Sequence, residues 1–304
     1  IYSTGTTNYE RVPVYYIRAR VTDSGWDYPT KTIEAGKTVT QEQAKLSSIV
    51  IVTVIVINRN DQPKLADAER RVDENTRRRQ LMPNTLVGET LAVHAVEEDS
   101  FDTLHWRIVS CSPGPNPFKI NNAGQLIVRN RNRLNYENKP VYKVVVKIRD
   151  SGCAVCQNHP ILSDTATITV KLNDLNEAAR FRRSARTRYI RENMLVDAIV
   201  GHRSQTSPFS GSNGWFKPND PDGGQTHSFT ITGQPKRFKI KTISDKYAQI
   251  SVVRGAHLDY ESADQSFTVA VRVTDSGGPI TAESPAITSG VDCRIRLIDV
   301  NEPP

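Results

Sequence analysis

Apolar and polar positions along the chain recur with a period of two. Val141 to Ile148 and Phe267 to Val273 are rich in Val, Ile, Tyr and Phe, and their residues divide between two faces. Thr165 to Leu172 does the same with β-branched residues. That period and composition predict strands. Asn122-Ala-Gly124, Ser112-Pro-Gly114 and Asp222-Gly223-Gly224 punctuate them as turns. No stretch of ten or more residues carries an apolar period of 3.6. The chain reads as all-β. Seven short strands in about 115–125 residues fit an antiparallel sandwich of Greek-key type.

The pattern also repeats. Asn8-Tyr9-Glu10 precedes VYYIRARVTDSG, Asn135-Tyr136-Glu137 precedes VYKVVVKIRDSG, and Asp259-Tyr260-Glu261 precedes FTVAVRVTDSG. Thirteen positions separate Glu10 from Asp23 and Glu137 from Asp150, and fourteen separate Glu261 from Asp275. Each block then runs through a second apolar stretch into a polar closing segment: INRNDQP (57–63), LNDLNEA (172–178) and IDVNEPP (298–304). Upstream, VDEN (72–75) matches IREN (190–193), and Phe118-Lys-Ile120 matches Phe238-Lys-Ile240. This predicts the rear of one repeat over 1–63 and complete repeats over 64–177 and 178–304. A closing strand that runs almost directly into the next first strand predicts repeats stacked end to end.

Composition narrows the class. The 304 residues are 37% hydrophobic and 24% charged, with 17 glycines and 17 prolines, which excludes disordered and collagen-like chains. The longest apolar run, Ile49 to Ile57, is broken only by Thr53 and is far too short to span a bilayer. No signal peptide opens the chain, and Ile1 reads as the start of an internal piece of something longer. The net charge of +7 comes from Lys and Arg spread over the whole length, denser at Arg129–Arg133 and Arg180–Arg191. Neither cluster lies in a nucleic-acid-binding motif, so nucleic acid is not expected as a partner. Acidic glycans stay open.

Four cysteines are present. Cys153 and Cys156 have CxxC spacing, but no second pair or histidine cluster completes a zinc site. A local disulfide pinning a loop is expected, which leans extracellular. Cys111 and Cys293 lie in different repeats, so each is a candidate for an intermolecular bridge. The six histidines are scattered without metal or catalytic spacing. No nucleophile elbow is visible and no enzyme is expected. Arg180-Phe-Arg-Arg183 has the convertase pattern, with a basic strand surface as the default reading. Trp26, Trp106 and Trp215 read as core or loop residues.

Acids recur where the repeats would meet. The Tyr-Glu turns, the Asp-Ser-Gly turns and the closing segments could converge on one pole of each sandwich. Carboxylates and asparagine amides are hard oxygen donors, and six to eight of them make a calcium site. So many carboxylates without a cation would repel one another.

In these motifs the chain resembles tandem extracellular cadherin repeats. The family's first-strand glutamate is matched by Glu74 and Glu192, and its LDRE motif by LNYE (134–137) and LDYE (258–261). Its paired acids are matched by Asp220 and Asp222, and by Glu97 and Asp99. Its later aspartate is matched by Asp23, Asp150 and Asp275, and its DxNDNxP linker by the three closing segments. The resemblance implies Ca2+ held at the first junction by Glu10, Asn60, Asp61, Glu97, Asp99 and Asp150. At the second it implies Glu74, Glu137, Asp174, Asn176, Glu177, Asp220, Asp222 and Asp275. Asn58 stands where the second junction has Asp174, and the linker ending Glu177-Ala178 lacks the family's proline. Seven carboxylates against five predict tighter calcium binding at the second junction.

What this implies is a calcium-rigidified extracellular segment for cell adhesion or surface recognition. Its partners would be other cadherin-like repeats or surface proteins, homophilic or heterophilic, with no membrane insertion in this segment. It would lie in the ectodomain of a membrane protein or in a secreted surface structure. A structural repeat of an extracellular filament, matrix or appendage, with weak or partial calcium binding, is the alternative.

Overall fold

The computed structural model describes residues 5–23, 31–33, 37–39, 45–76, 80–99, 102–153, 156, 160–182, 186–201, 214–277 and 285–303. Trp26 and the Arg183–Ser184 bond of the convertase pattern lie outside these residues.

The architecture is all-β. In the middle of the chain, four strands form one sheet in the order Ala68–Asp73, Ser163–Asn173, Val141–Arg149 and His105–Ser112. The two central strands are antiparallel, Val144 facing Ile168 and Val146 facing Ala166. Ala68–Asp73 joins in parallel, Ile168 opposite Ala68. Alternation decides which face is buried. Val144, Val146 and Ile148 point into the core with Ile168 and Val170, while Lys143, Lys147 and Arg149 point out. The opposing layer is Phe118–Ile120 paired with Leu126–Val128, extended by a bridge from Leu86 to Ile127.

The same plan recurs downstream. The order is Thr187–Arg191, Thr288–Ile298, Ser266–Asp275 and His227–Thr232, again with the first pair parallel. Its second layer has three strands: Trp215–Phe216, Tyr247–Val252 and Phe238–Ser244. Four strands plus three give the seven expected. In the middle unit the seventh shrinks to the Leu86 bridge. One aromatic contact ties the layers in both copies. Phe118 meets Tyr142 edge-on with centroids 5.4 Å apart, and Phe238 meets Phe267 at 5.6 Å.

Ahead of these units, Val14–Thr22 pairs antiparallel with Ser47–Ile55. Two further short pairs position the chemistry. Lys64–Leu65 pairs with Ala95–Val96, and Arg180–Phe181 pairs with Pro218–Asn219. Each links the chain just past a closing segment to the strand just before a pair of acids.

Two cysteine expectations separate here. Cys153 and Cys156 form the disulfide, with Cα atoms 5.3 Å apart. Cys293 is a correction: it is fully buried among the core residues of the last unit, and burial raises its thiol pKa to about 11. It cannot reach another chain. Cys111 is half-buried and also packs on the core. Trp106 packs on the core of the middle unit, and Trp215 stacks on Tyr247 at 4.3 Å.

Ile168 has no solvent exposure and sits centrally in the middle core. Ile168→Ala should destabilise that unit by about 2–5 kcal/mol, through lost transfer energy and the cavity left behind. Urea denaturation of the full chain checks this. A shift under about 0.5 kcal/mol, the usual size for a surface substitution, contradicts the assigned face.

Candidate metal centres

Two clusters of acids form where successive units meet, and they are built alike. At the second, Asn176 of the closing segment donates from its amide to Asp275 Oδ1 (2.9 Å) and to the Pro285 carbonyl (2.8 Å). At the first, Asn60 donates to Asp150 Oδ2 (3.0 Å) and to the Pro160 carbonyl (2.8 Å). The next residue along donates its backbone N–H to the second acid of the pair. Glu177 N reaches Asp222 Oδ2 and Asp61 N reaches Asp99 Oδ2, both at 2.7 Å. Within each pair the acids are locked together. Asp220 accepts from Asp222 N at 3.1 Å, and Glu97 accepts from Asp99 N at 3.2 Å. Glu97 and Asp99 are thus the structural counterparts of Asp220 and Asp222.

Glu74, fully buried, accepts from Tyr136 N (2.9 Å) and Leu175 N (2.8 Å), tying the Tyr-Glu turn to the closing segment. Glu192 repeats this cradle with Tyr260 N (2.6 Å) and Val300 N (2.7 Å). The three Tyr-Glu turns share one local device. Asn8, Asn135 and Asp259 each accept a backbone N–H three residues on, from Arg11, Asn138 and Ser262. A side-chain oxygen is all that turn needs, so Asn serves where the family motif has Asp.

Carboxylate oxygens converge within 4.8 Å in several groups. Glu74, Glu137 and Glu177 form one at the second junction, and Glu137, Asp174 and Asp222 another. At the first, Glu10, Asp61 and Glu98 form one, and Glu97, Asp102 and Asp150 another. Among the described residues, buried oxygens of Glu10, Asn58, Glu97 and Asp102, and of Asp222, Gln225 and Asp275, have no hydrogen-bond partner. Orphaned buried acceptors of this kind are costly unless something positive completes them. An all-oxygen set with free lone pairs suits a hard divalent cation of calcium's type.

Electrostatics point the same way. Glu74 is raised to about 7, chiefly by burial, with Glu137 and Glu177 adding repulsion against its two backbone hydrogen bonds. Asp222 is likewise raised to about 7, by burial first and then by Asp220, Asp174 and Glu137. Burial pushes up Glu10, Asp61, Glu97, Asp102 and Asp174 as well.

Sequence reasoning missed two acids. Glu98 and Asp102 bring the first junction to seven carboxylates, level with the second, so the expected asymmetry of charge count does not hold. Asp102 lies three residues past Asp99, as Gln225 does past Asp222, and the repeat alignment carried that signal. Gln225 donates to Asn176 Oδ1 (2.7 Å) and Asp222 Oδ2 (3.1 Å), an amide where the first junction has a carboxylate. His227 was also overlooked. Its ring lies 2.7 Å from Asp220 Oδ2 and 2.9 Å from the Asp245 carbonyl. The first junction has its own brace: Cys153 N donates to Asn60 Oδ1 (3.0 Å), and Cys156 Sγ lies 3.8 Å from Asp99 Oδ1.

No protein-family model matches the chain. Mouse cadherin-5 is 29% identical over 221 residues, 71% of this chain and 24% of that protein. Human protocadherin-23 is 24% identical over 284 residues, 91% of this chain and 8% of that protein. The crystal structure of mouse protocadherin-24 EC1-3 superposes with a TM-score of 0.53 at 18% identity, covering 97% of this chain and 82% of that one. The chain is similar over most of its length to cadherins and protocadherins, and its fold is that of their extracellular repeats. The segment spans a quarter or less of those two relatives' length.

A pH dependence follows for the cation-free chain. Glu74 and Asp222 titrate near 7 folded and near the ordinary carboxylate value unfolded, so between about 4.5 and 7 the folded state holds more protons. Stability is therefore greatest below this window and falls as pH rises through it. Thermal melts in chelator at pH 5 and pH 8 should show the lower midpoint at pH 8, a gap that Glu74→Gln narrows. A higher midpoint at pH 8 contradicts the burial of these acids.

Proposed function

We propose that this is a calcium-rigidified cadherin segment for cell adhesion or surface recognition, with units spanning 1–63, 64–177 and 178–304. The orphaned carboxylate and amide oxygens at both junctions carry the reading. Glu10, Asp61, Glu97, Glu98, Asp99, Asp102 and Asp150 would hold calcium at the first junction, with Asn60 orienting Asp150. Glu74, Glu137, Asp174, Glu177, Asp220, Asp222 and Asp275 would hold it at the second, with Asn176 orienting Asp275. Bound calcium supplies positive charge that cancels repulsion among the acids. The residues do the mechanical work. Glu74 joins the Tyr-Glu turn of one repeat to its closing segment, and Glu177 N joins that segment to Asp222 of the next. With the acids neutralised, these bonds fix the angle between repeats. The role is binding and structural, not enzymatic, and partners would be other cadherin repeats or surface proteins.

Calorimetry on the full chain tests it. Calcium should bind at both junctions, and Glu137→Ala with Asp275→Ala should abolish or weaken roughly tenfold or more the sites at the second, since affinity follows ligand charge count. Uptake at the first junction should persist. Unchanged total uptake after both substitutions overturns the reading.

A further inference from the structure

The outward face of the middle repeat carries a cation cluster that the fold does not need. Lys147 lies directly across from Arg107, and Arg149 across from His105, on the paired strands Val141–Arg149 and His105–Ser112. Like charges directly opposite on neighbouring strands destabilise a sheet. None of Arg107, Lys147 and Arg149 forms an ion pair among the described residues. The basic residues of the neighbouring strands differ, Lys171 and Arg71 both meeting Glu69. With the Trp106 backbone position between them, these side chains line a groove of about 430 Å³.

The last repeat supplies an internal control, because its sheet has the same order and register. Opposite Arg272, which corresponds to Lys147, stands Thr230, and opposite Thr274, which corresponds to Arg149, stands Ser228. Arg272 is 3.7 Å from Asp292 and so has an acid for itself. Two neutral hydroxyl residues therefore serve this fold where the middle repeat places Arg107 and His105. The Arg107–Lys147 cation pair is a cost to the sheet with no return inside it.

We propose that this face is a binding surface for a sulfated polysaccharide. Guanidinium and ammonium groups in a row on a rigid sheet match the regularly spaced anions of such a chain, Arg forking onto the sulfate oxygens. Same-face residues along a strand lie about 7 Å apart, so the two pairs present charge over a short stretch of polymer. Thr165 and Ser163, across from Lys147 and Arg149 on the other side, border the cluster with hydroxyls suited to sugar. A single-stranded nucleic acid fits worse, because base stacking needs aromatic faces and Trp106 packs inward on the core. The surface uses none of the junction acids, so it stands whether or not the calcium reading does.

The test is binding of the full chain to a heparin oligosaccharide, measured in calcium and again in chelator. Arg107→Thr with Arg149→Thr installs two residues the last repeat already carries at these places, so folding is preserved and circular dichroism can verify it. Affinity for heparin should fall on the order of tenfold, two exposed charge contacts of modest strength being lost. It should stay unchanged in Arg294→Thr with Arg296→Thr, which removes equal charge from the last repeat. Desulfated heparin and polyglutamate should bind at least tenfold more weakly than heparin. An equal loss from both double substitutions means net charge alone, and overturns the site. So does binding of polyglutamate as tight as heparin, which would mark an acidic-peptide surface, or binding that vanishes in chelator.

Discussion

Repulsion among carboxylates gathered where successive units meet governs how this chain is built. Each junction brings seven acids together, several of them wholly buried, where water screens them poorly. Burial first, and repulsion from neighbouring acids after it, hold Glu74 and Asp222 near 7, so at neutral pH these two stand between protonation and ionisation. Backbone N–H groups relieve part of the charge. Tyr136 and Leu175 serve Glu74, and Glu177 serves Asp222. On the proposed reading a divalent cation would complete the remaining buried oxygens, since one ion faces many oxygens at once.

The sandwiches make this concentration of charge tolerable by not depending on it. Their cores rest on Phe118 against Tyr142, on Phe238 against Phe267, and on the alternating apolar faces of the central strands. The acids hang on loops just past short two-residue strand pairs that tether one closing segment to the next unit. On the proposed reading, loss of the cation would therefore loosen the junctions and leave the cores intact. The two junctions differ in their supports. The first uses a disulfide loop against Asn60 and Asp99, and the second uses Gln225 and His227 against Asn176, Asp222 and Asp220.

Much of this was legible in the sequence because repetition supplies its own alignment. The spacing from Glu137 to Asp150, repeated at Glu10 and one residue longer at Glu261, located both the strands and the acids at their ends. The close CxxC spacing announced the disulfide. Legibility failed where a residue acts without a recurring partner. Glu98 looks like one more acid in an acidic run, and Asp102 is answered downstream by an amide, so neither showed as a motif. His227 follows no spacing because its role depends on the Asp220 loop folding back over the strand that carries it. Cys293 looked available because strand alternation marks two faces without saying which is covered. The charge opposition of Arg107 and Lys147 needs the register, which the sequence does not contain.

Hydrogen exchange with and without calcium tests the central claim most directly. The amides of Asp61, Tyr136, Leu175 and Glu177 all donate to junction carboxylates. Calcium should slow exchange in peptides containing them severalfold or more, while peptides from Val144–Ile148 and Val269–Val273 exchange at the same rate in both conditions. Slowing confined to the core strands, or no change at the junction amides, would contradict an account in which the cation holds the repeats together and the cores hold themselves.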